Sequence, residues 1–256
     1  MKLLRPLLLA CSLLFAATAH AEKVTVAAAA DLKFAMDEIV TIFKQAHPAD
    51  QVEVIYGSSG KFPTQIQQGA PYDLYFSADI AFPRELAKAG FAASEAKPYA
   101  FGRIVLWSAS MDASKMTLAS LTNPKIARIA IANPKHAPYG KRAEEALRTS
   151  GLWEKVEPKL VYGENIAHTA QFVQTDNAQV GIIALALAVN PELSSKGGYW
   201  LIPDNLHEPL EQGFIITKRA EGSALARRFA DYMGSQPARA VMTKYGFVLP
   251  GEVASK

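Results

Sequence analysis

Apolar residues fall into two rhythms along this chain, and their alternation lays out the fold. KVTVAAAA (23–30) is continuous and partly β-branched, as suits a strand buried on both faces. DLKFAMDEIVTIFKQAH (31–47) then places Leu32, Ala35, Met36, Ile39, Val40 and Phe43 at helical spacing. QVEVIYG (51–57) predicts a second strand, KFPTQIQQG (61–69) a helix ended by Gly69, and DLYFSAD (73–79) a third strand. This order calls for a parallel sheet covered by helices, because parallel neighbours need crossover connections.

The pattern restarts with RIVLWS (103–108) as a strand and a helix near LASLTNP. Strand RIAIAN (128–133), helix KRAEEALRTSG (141–151), strand KLVYG (159–163), helix IAHTAQFVQTDN (166–177) and strand QVGIIALALAV (179–189) follow. EQGFIITKR (211–219) is one more strand, and helices over 223–235 and 237–246 close the chain. The fold class is therefore α/β in two lobes, each a mainly parallel sheet flanked by helices, with a cleft between them. The first lobe is discontinuous, 22–102 plus 213–256, and the second is 103–212. The chain is expected to cross between them near Gly102-Arg103 and near Gln212-Gly213.

The first residues read as an address. Lys2 and Arg5 precede an apolar run from Leu7 to Ala17, and Ala19-His20-Ala21 has the small-x-small form of a signal-peptidase site, so 1–21 is assigned to a cleaved signal for export. The run is too short to span a bilayer. Leu8-Leu9-Ala10-Cys11 offers a rival processing site, with lipid attachment at Cys11. Cys11 is the single cysteine of the 256 residues, so the processed chain has no disulfide and no thiol chemistry. With 27 Lys and Arg against 24 Asp and Glu overall, and Lys2 and Arg5 lost with the signal, the charge is close to balanced and nothing suggests nucleic acid.

Chemistry is expected where strands run into helices. Four such turns carry suggestive residues: Ala30-Asp31, Ser58-Ser59-Gly60 with Lys61 following, His136-Ala137-Pro138-Tyr139-Gly140, and Glu164-Asn165-Ile166. Each presents free backbone N–H groups at the positive end of a helix dipole, and two belong to each lobe. Any one of them alone is an ordinary cap or turn. GSSGK is not a phosphate loop, since Gly57 and Gly60 stand too close together and Phe62 replaces the hydroxyl. Nor does it make a G-x-S-x-G nucleophile elbow. His47, His136, His168 and His207 lack zinc-site spacing, so a hydrolase has little support and no catalytic residue or free metal cation is assigned.

AAAADLKFAMDEI, GSSGKFPTQIQQGAPYDLYFSAD, ANPKHAPYGKRAEEAL, GENIAHTAQFVQTDNAQVGI and KYGFVLP, in this order through nearly the whole exported chain, resemble the periplasmic molybdate-binding proteins of ABC importers. The resemblance implies a monomeric periplasmic protein that binds molybdate or tungstate and delivers it to an inner-membrane permease. It implies no cofactor, with molybdenum held as its oxyanion through hydroxyls and backbone amides. Carried over residue by residue, it places Asp31, Ser59, Tyr139 and Ile166 at the ligand, with Ala30, Ser58, Asn165 and Lys61 as further candidates. Asp31 departs from the serine or threonine common there. Its amide is expected to face the anion while its carboxylate caps the helix or meets Lys33 or Lys61. Ala184 departs from a ligand tyrosine, a phenol that Tyr139 is expected to replace. Sulfate, phosphate or another anion is the alternative ligand.

Overall fold

The computed structural model describes residues 22–252; the signal segment and Cys11 assigned above lie outside them. Its strands are β1 (Lys23–Ala29), β2 (Gln51–Gly57), β3 (Leu74–Ser77), β4 (Lys97–Gly102), β5 (Ile104–Trp107), β6 (Ile129–Ala132), β7 (Leu160–Gly163), β8 (Val180–Ala184), β9 (Tyr199–Leu201) and β10 (Leu210–Ile216). The helices are α1 (Lys33–Ala46), α2 (Phe62–Gln67), α3 (Ala81–Lys88), α4 (Pro138–Thr149), α5 (Trp153–Val156), α6 (Ile166–Gln174), α7 (Leu185–Ala188), α8 (Pro191–Ser194), α9 (Ala224–Tyr232) and α10 (Gln236–Lys244).

Two five-stranded sheets result, in the orders β2-β1-β3-β10-β4 and β7-β6-β8-β5-β9. Each is mixed rather than mainly parallel. Three parallel strands (β2, β1, β3 or β7, β6, β8) are extended by two pairings that are both antiparallel. The reason is connectivity: β10 arrives from the other sheet and enters without a crossover helix of its own, so no rule forces it parallel. The chain leaves the first sheet after Gly102 and is in the second by Ile104. It returns between Leu201 and Leu210, ahead of Gln212-Gly213, which instead marks a register shift inside β10.

Each sheet is sealed by helices whose apolar stripes match the sequence pattern. Leu32, Met36, Ile39 and Phe43 are buried against Phe229 and Met242 from the C-terminal helices, with the Phe43 and Phe229 rings edge to face at 5.1 Å. Burying a side chain such as Phe43 contributes about 1.5–3 kcal/mol. In the second sheet Trp107, Ile131, Leu147 and Val156 form the equivalent core. The apolar run 179–189 divides differently from its sequence reading: β8 stops at Ala184 and α7 takes Leu185–Ala188. An apolar run without polar punctuation does not tell a strand from a buried helix turn. Strands β4 and β9 and helix α3, too short or too mixed to show a period, were not expected from the pattern, and the LASLTNP helix is a 3-10 segment, Leu118–Thr122.

Register places the turns. Ala29 pairs with Gly57, so β1 and β2 end side by side and release Ala30-Asp31 next to Ser58-Ser59. Ala132 pairs with Gly163 in the same way, releasing the turn before α4 next to Glu164-Asn165.

Candidate functional site

These four turns meet. A cavity of about 10 Å3 is lined by Ala30, Asp31, Ser58, Ser59, Ala78, Tyr139, Asn165 and Ile166 among others, so every candidate except Lys61 stands at its wall. That is room for roughly one water, which describes a shut cleft. Larger depressions lie elsewhere, such as one of about 470 Å3 bounded by Asn133, Glu144, Trp153 and Tyr162, but they lack such a convergence of helix starts.

Each lining residue has a distinct local role. Ser59 is buried, its hydroxyl accepts from the Ala78 N–H at 2.9 Å, and its carbonyl accepts from the Tyr75 hydroxyl at 2.7 Å. The bond from Ala78 fixes the Ser59 Oγ while leaving its proton free to donate. The N–H groups of Ser59, Tyr139 and Ile166 have no protein partner among the described residues, as expected for the last two in the first turns of α4 and α6, while Ser59 lies in the turn that precedes α2. Pro138 opens α4, where a missing N–H costs nothing. Gly140 lets that first turn sit on the sheet: a Cβ there would stand 1.9 Å from the Ala132 carbonyl oxygen. Asn165 is a cap, its Oδ1 accepting from the His168 N–H at 2.9 Å.

Beneath the cavity lies a polar network that the sequence pattern does not disclose. Asp31 is fully buried. Its Oδ2 accepts from the Tyr139 hydroxyl at 2.9 Å and from Gln212 Nε2 at 2.8 Å, and the Tyr99 hydroxyl donates to Gln212 Oε1 at 2.7 Å. Its Oδ1 is buried without a partner. Burial raises the carboxyl to about 6, outweighing the hydrogen bonds from Gln212 and Tyr139 and the neighbouring backbone N–H groups. Two expectations are corrected here. The Asp31 carboxylate meets neither lysine, because Lys33 pairs with Asp37 and Lys61 with Glu164. The Tyr139 phenol is spent on Asp31 and does not replace a ligand tyrosine at Ala184, which is buried and does not line the cavity. Gln212, a lone amide within the strand EQGFIITKR, was the available sign of this network.

At the mouth the two sheets touch directly. The Ser58 hydroxyl donates to the His136 carbonyl at 2.6 Å and lies 3.0 Å from His136 Nδ1, and the Gly60 N–H donates to the same carbonyl at 2.9 Å. Lys61 forms an ion pair with Glu164, whose other oxygen lies 3.9 Å from His136 Nε2. Ser58 and Lys61 thus bridge the sheets. Burial lowers the His136 pKa, with Lys61 adding to the effect and Glu164 opposing it.

The sequence profile of the bacterial extracellular solute-binding proteins matches residues 24–248. The molybdate-binding protein ModA of Rhodobacter capsulatus is 34% identical over 231 residues, covering 90% of each chain. That of Azotobacter vinelandii is 35% identical over 237 residues, covering 92% of this chain and 94% of the relative. The solved Azotobacter vinelandii periplasmic molybdate-binding protein superposes with a TM-score of 0.84 at 31% identity, over 89% of this chain and 99% of that one.

Proposed function

The chain belongs to the bacterial extracellular solute-binding protein family, and from that premise we propose that it binds molybdate or tungstate in the periplasm and hands it to an inner-membrane ABC permease. One observation carries the choice of ligand class: four strand-to-helix turns, two from each sheet, converge on one small cavity, and among the residues lining it Ser59, Tyr139 and Ile166 have unpaired N–H groups and Ser59 an undonated hydroxyl. A ring of fixed dipoles at helix ends suits a small tetrahedral dianion, whose charge it disperses without a cation. The identity of 34–35% to two molybdate-binding proteins narrows the anion. A smaller anion such as sulfate would leave buried donors unpaired at ~1–3 kcal/mol each.

In this proposal Ser59 donates its hydroxyl and amide, and Tyr139 and Ile166 donate their amides. Ala30 and Asp31 form the wall, Asn165 holds α6 in place, and Ser58 and Lys61 close the mouth. The protein acts as a monomeric carrier and not as a catalyst, with no cofactor. The lobes are 22–102 with the C-terminal segment from β10 onward, and the connecting 103–209. Because donors come from both, the anion receives its full set only when the lobes meet, and that differential affinity drives closure. Calorimetry of the ligand-free protein against molybdate, tungstate, sulfate and phosphate tests this. Tight binding of the first two alone is expected; tight binding of sulfate or phosphate instead reassigns the site to another oxyanion.

A further inference from the structure

A buried acid at the wall of an anion site is an electrostatic contradiction unless something neutralises it. Asp31 is fully buried, lines the cavity, and belongs to a strand-to-helix turn whose N–H groups favour negative charge. Its Oδ2 is saturated by Tyr139 and Gln212, and the backbone N–H groups of Asp31 and Leu32 stabilise the carboxylate weakly, while its Oδ1 has no partner in hydrogen-bonding geometry. Buried polar atoms nearly always have one. We propose that the site takes up one proton with each oxyanion it binds, and that Asp31 holds that proton on Oδ1, so that a neutral acid and not a carboxylate faces the ligand.

The inference rests on the oxyanion reading of this cavity and deepens it. Protonation is a simple addition: the carboxylate gains H+ at Oδ1, an O–H bond forms, nothing is oxidised, and the orphan acceptor becomes a donor. Oδ2 is the poorer place for the proton because two donors already point at it. Tyr139 reaches the carboxylate from α4 and Gln212 from β10, with Tyr99 of β4 one bond further. No cation touches it among the described residues. Lys33 of α1 is paired with Asp37, Lys61 with Glu164, and His168 of α6 accepts from the Glu164 N–H; His136 faces Ser58 and Glu164. Burial, net of the hydrogen bonds that oppose it, already raises this carboxyl to about 6, and a dianion in contact raises it further. When the lobes part, water relieves the burial and returns the carboxyl toward its ordinary range, the loss of the Tyr139 hydrogen bond opposing this as the smaller effect, so proton uptake is coupled to closure.

The test is calorimetry of the exported protein with molybdate, between about pH 6 and about pH 8.5, in pairs of buffers with different ionisation heats. The expected result is uptake of about one proton per anion above neutrality, with affinity falling by up to about tenfold per pH unit. Asp31→Asn, whose amide places a permanent donor at the same position, should bind without uptake, with little pH dependence, and more tightly than the parent at the alkaline end. His136→Gln should keep the uptake. Binding by the parent with no proton exchange and flat affinity overturns the inference while leaving the oxyanion site intact. Uptake that survives in Asp31→Asn, or disappears in His136→Gln, also overturns it. So does an Asp31→Asn protein that is folded by near-ultraviolet circular dichroism yet binds far more weakly at every pH. Failure of the parent to bind any oxyanion is a different result, which removes the site itself.

Discussion

The two sheets share one plan and spend it differently. In each, the edge strand (β2 or β7) and the strand beside it (β1 or β6) end in register and release two turns side by side, and each turn leads into a helix. In the first lobe these turns carry Asp31 and Ser59, with side chains at the cavity or just beneath it. In the second, the side chains at the cavity are committed elsewhere: Asn165 caps α6 and the Tyr139 phenol serves Asp31. In the proposed site the second lobe therefore offers backbone amides alone. Amides held by a helix are placed by the fold, whereas a hydroxyl and a carboxyl are placed by single residues. Substitutions in the first lobe should change affinity directly, and those in the second should act through stability.

The largest expected effect lies where the lobes touch. A Cβ at Gly60 would stand 2.5 Å from the His136 carbonyl oxygen, backbone of the opposite lobe. Gly60→Val should block closure without disturbing either core, and molybdate affinity should fall by roughly 100-fold. Small-angle scattering with saturating molybdate should then show the radius of gyration unchanged while the parent contracts. A variant that binds and contracts normally would mean the mouth contact is not part of the bound state.

Next comes Ser59→Ala, which removes one charge-assisted donor worth ~1.5–3 kcal/mol, or about 10- to 100-fold in affinity by calorimetry. Its counterpart in the second lobe should do the reverse. Asn165→Ala deletes a helix cap, so thermal unfolding should register a loss of ~0.5–2 kcal/mol while affinity changes by less than about threefold. If Asn165→Ala lost affinity as steeply as Ser59→Ala, the second lobe would also be working through side chains. The smallest effect belongs to Lys61→Ala. Its ion pair with Glu164 is about half exposed on both sides, so the loss should be at most about fivefold and should vanish in high salt.

How far the sequence discloses these features depends on their range. The buried runs of β1 and β6, the stripe of α1 and the Pro-Tyr-Gly start of α4 are local, and local spacing is what periodicity and turn chemistry report. The four turns were therefore legible as helix starts. Their meeting was expected only through the two-per-lobe division and the family resemblance, because it depends on two strand registers and on which way the chain crosses between sheets. Asp31 shows the limit best. Beside Lys33 and near Lys61 it reads as a helix cap or the partner of a lysine, yet its partners, Tyr139 and Gln212, lie 108 and 181 residues away. Its burial is a property of the closed fold, and no local pattern encodes it.

The most direct test is a crystal structure grown with tungstate, in which anomalous scattering locates the metal atom without interpretation of the surrounding density. One strong peak is expected between Ser59, Tyr139 and Ile166, with ligand oxygens within ~3 Å of their N–H nitrogens. A peak bonded to one lobe only, or placed in another depression such as that between Trp153 and Tyr162, would contradict the claim that both sheets jointly build the anion site.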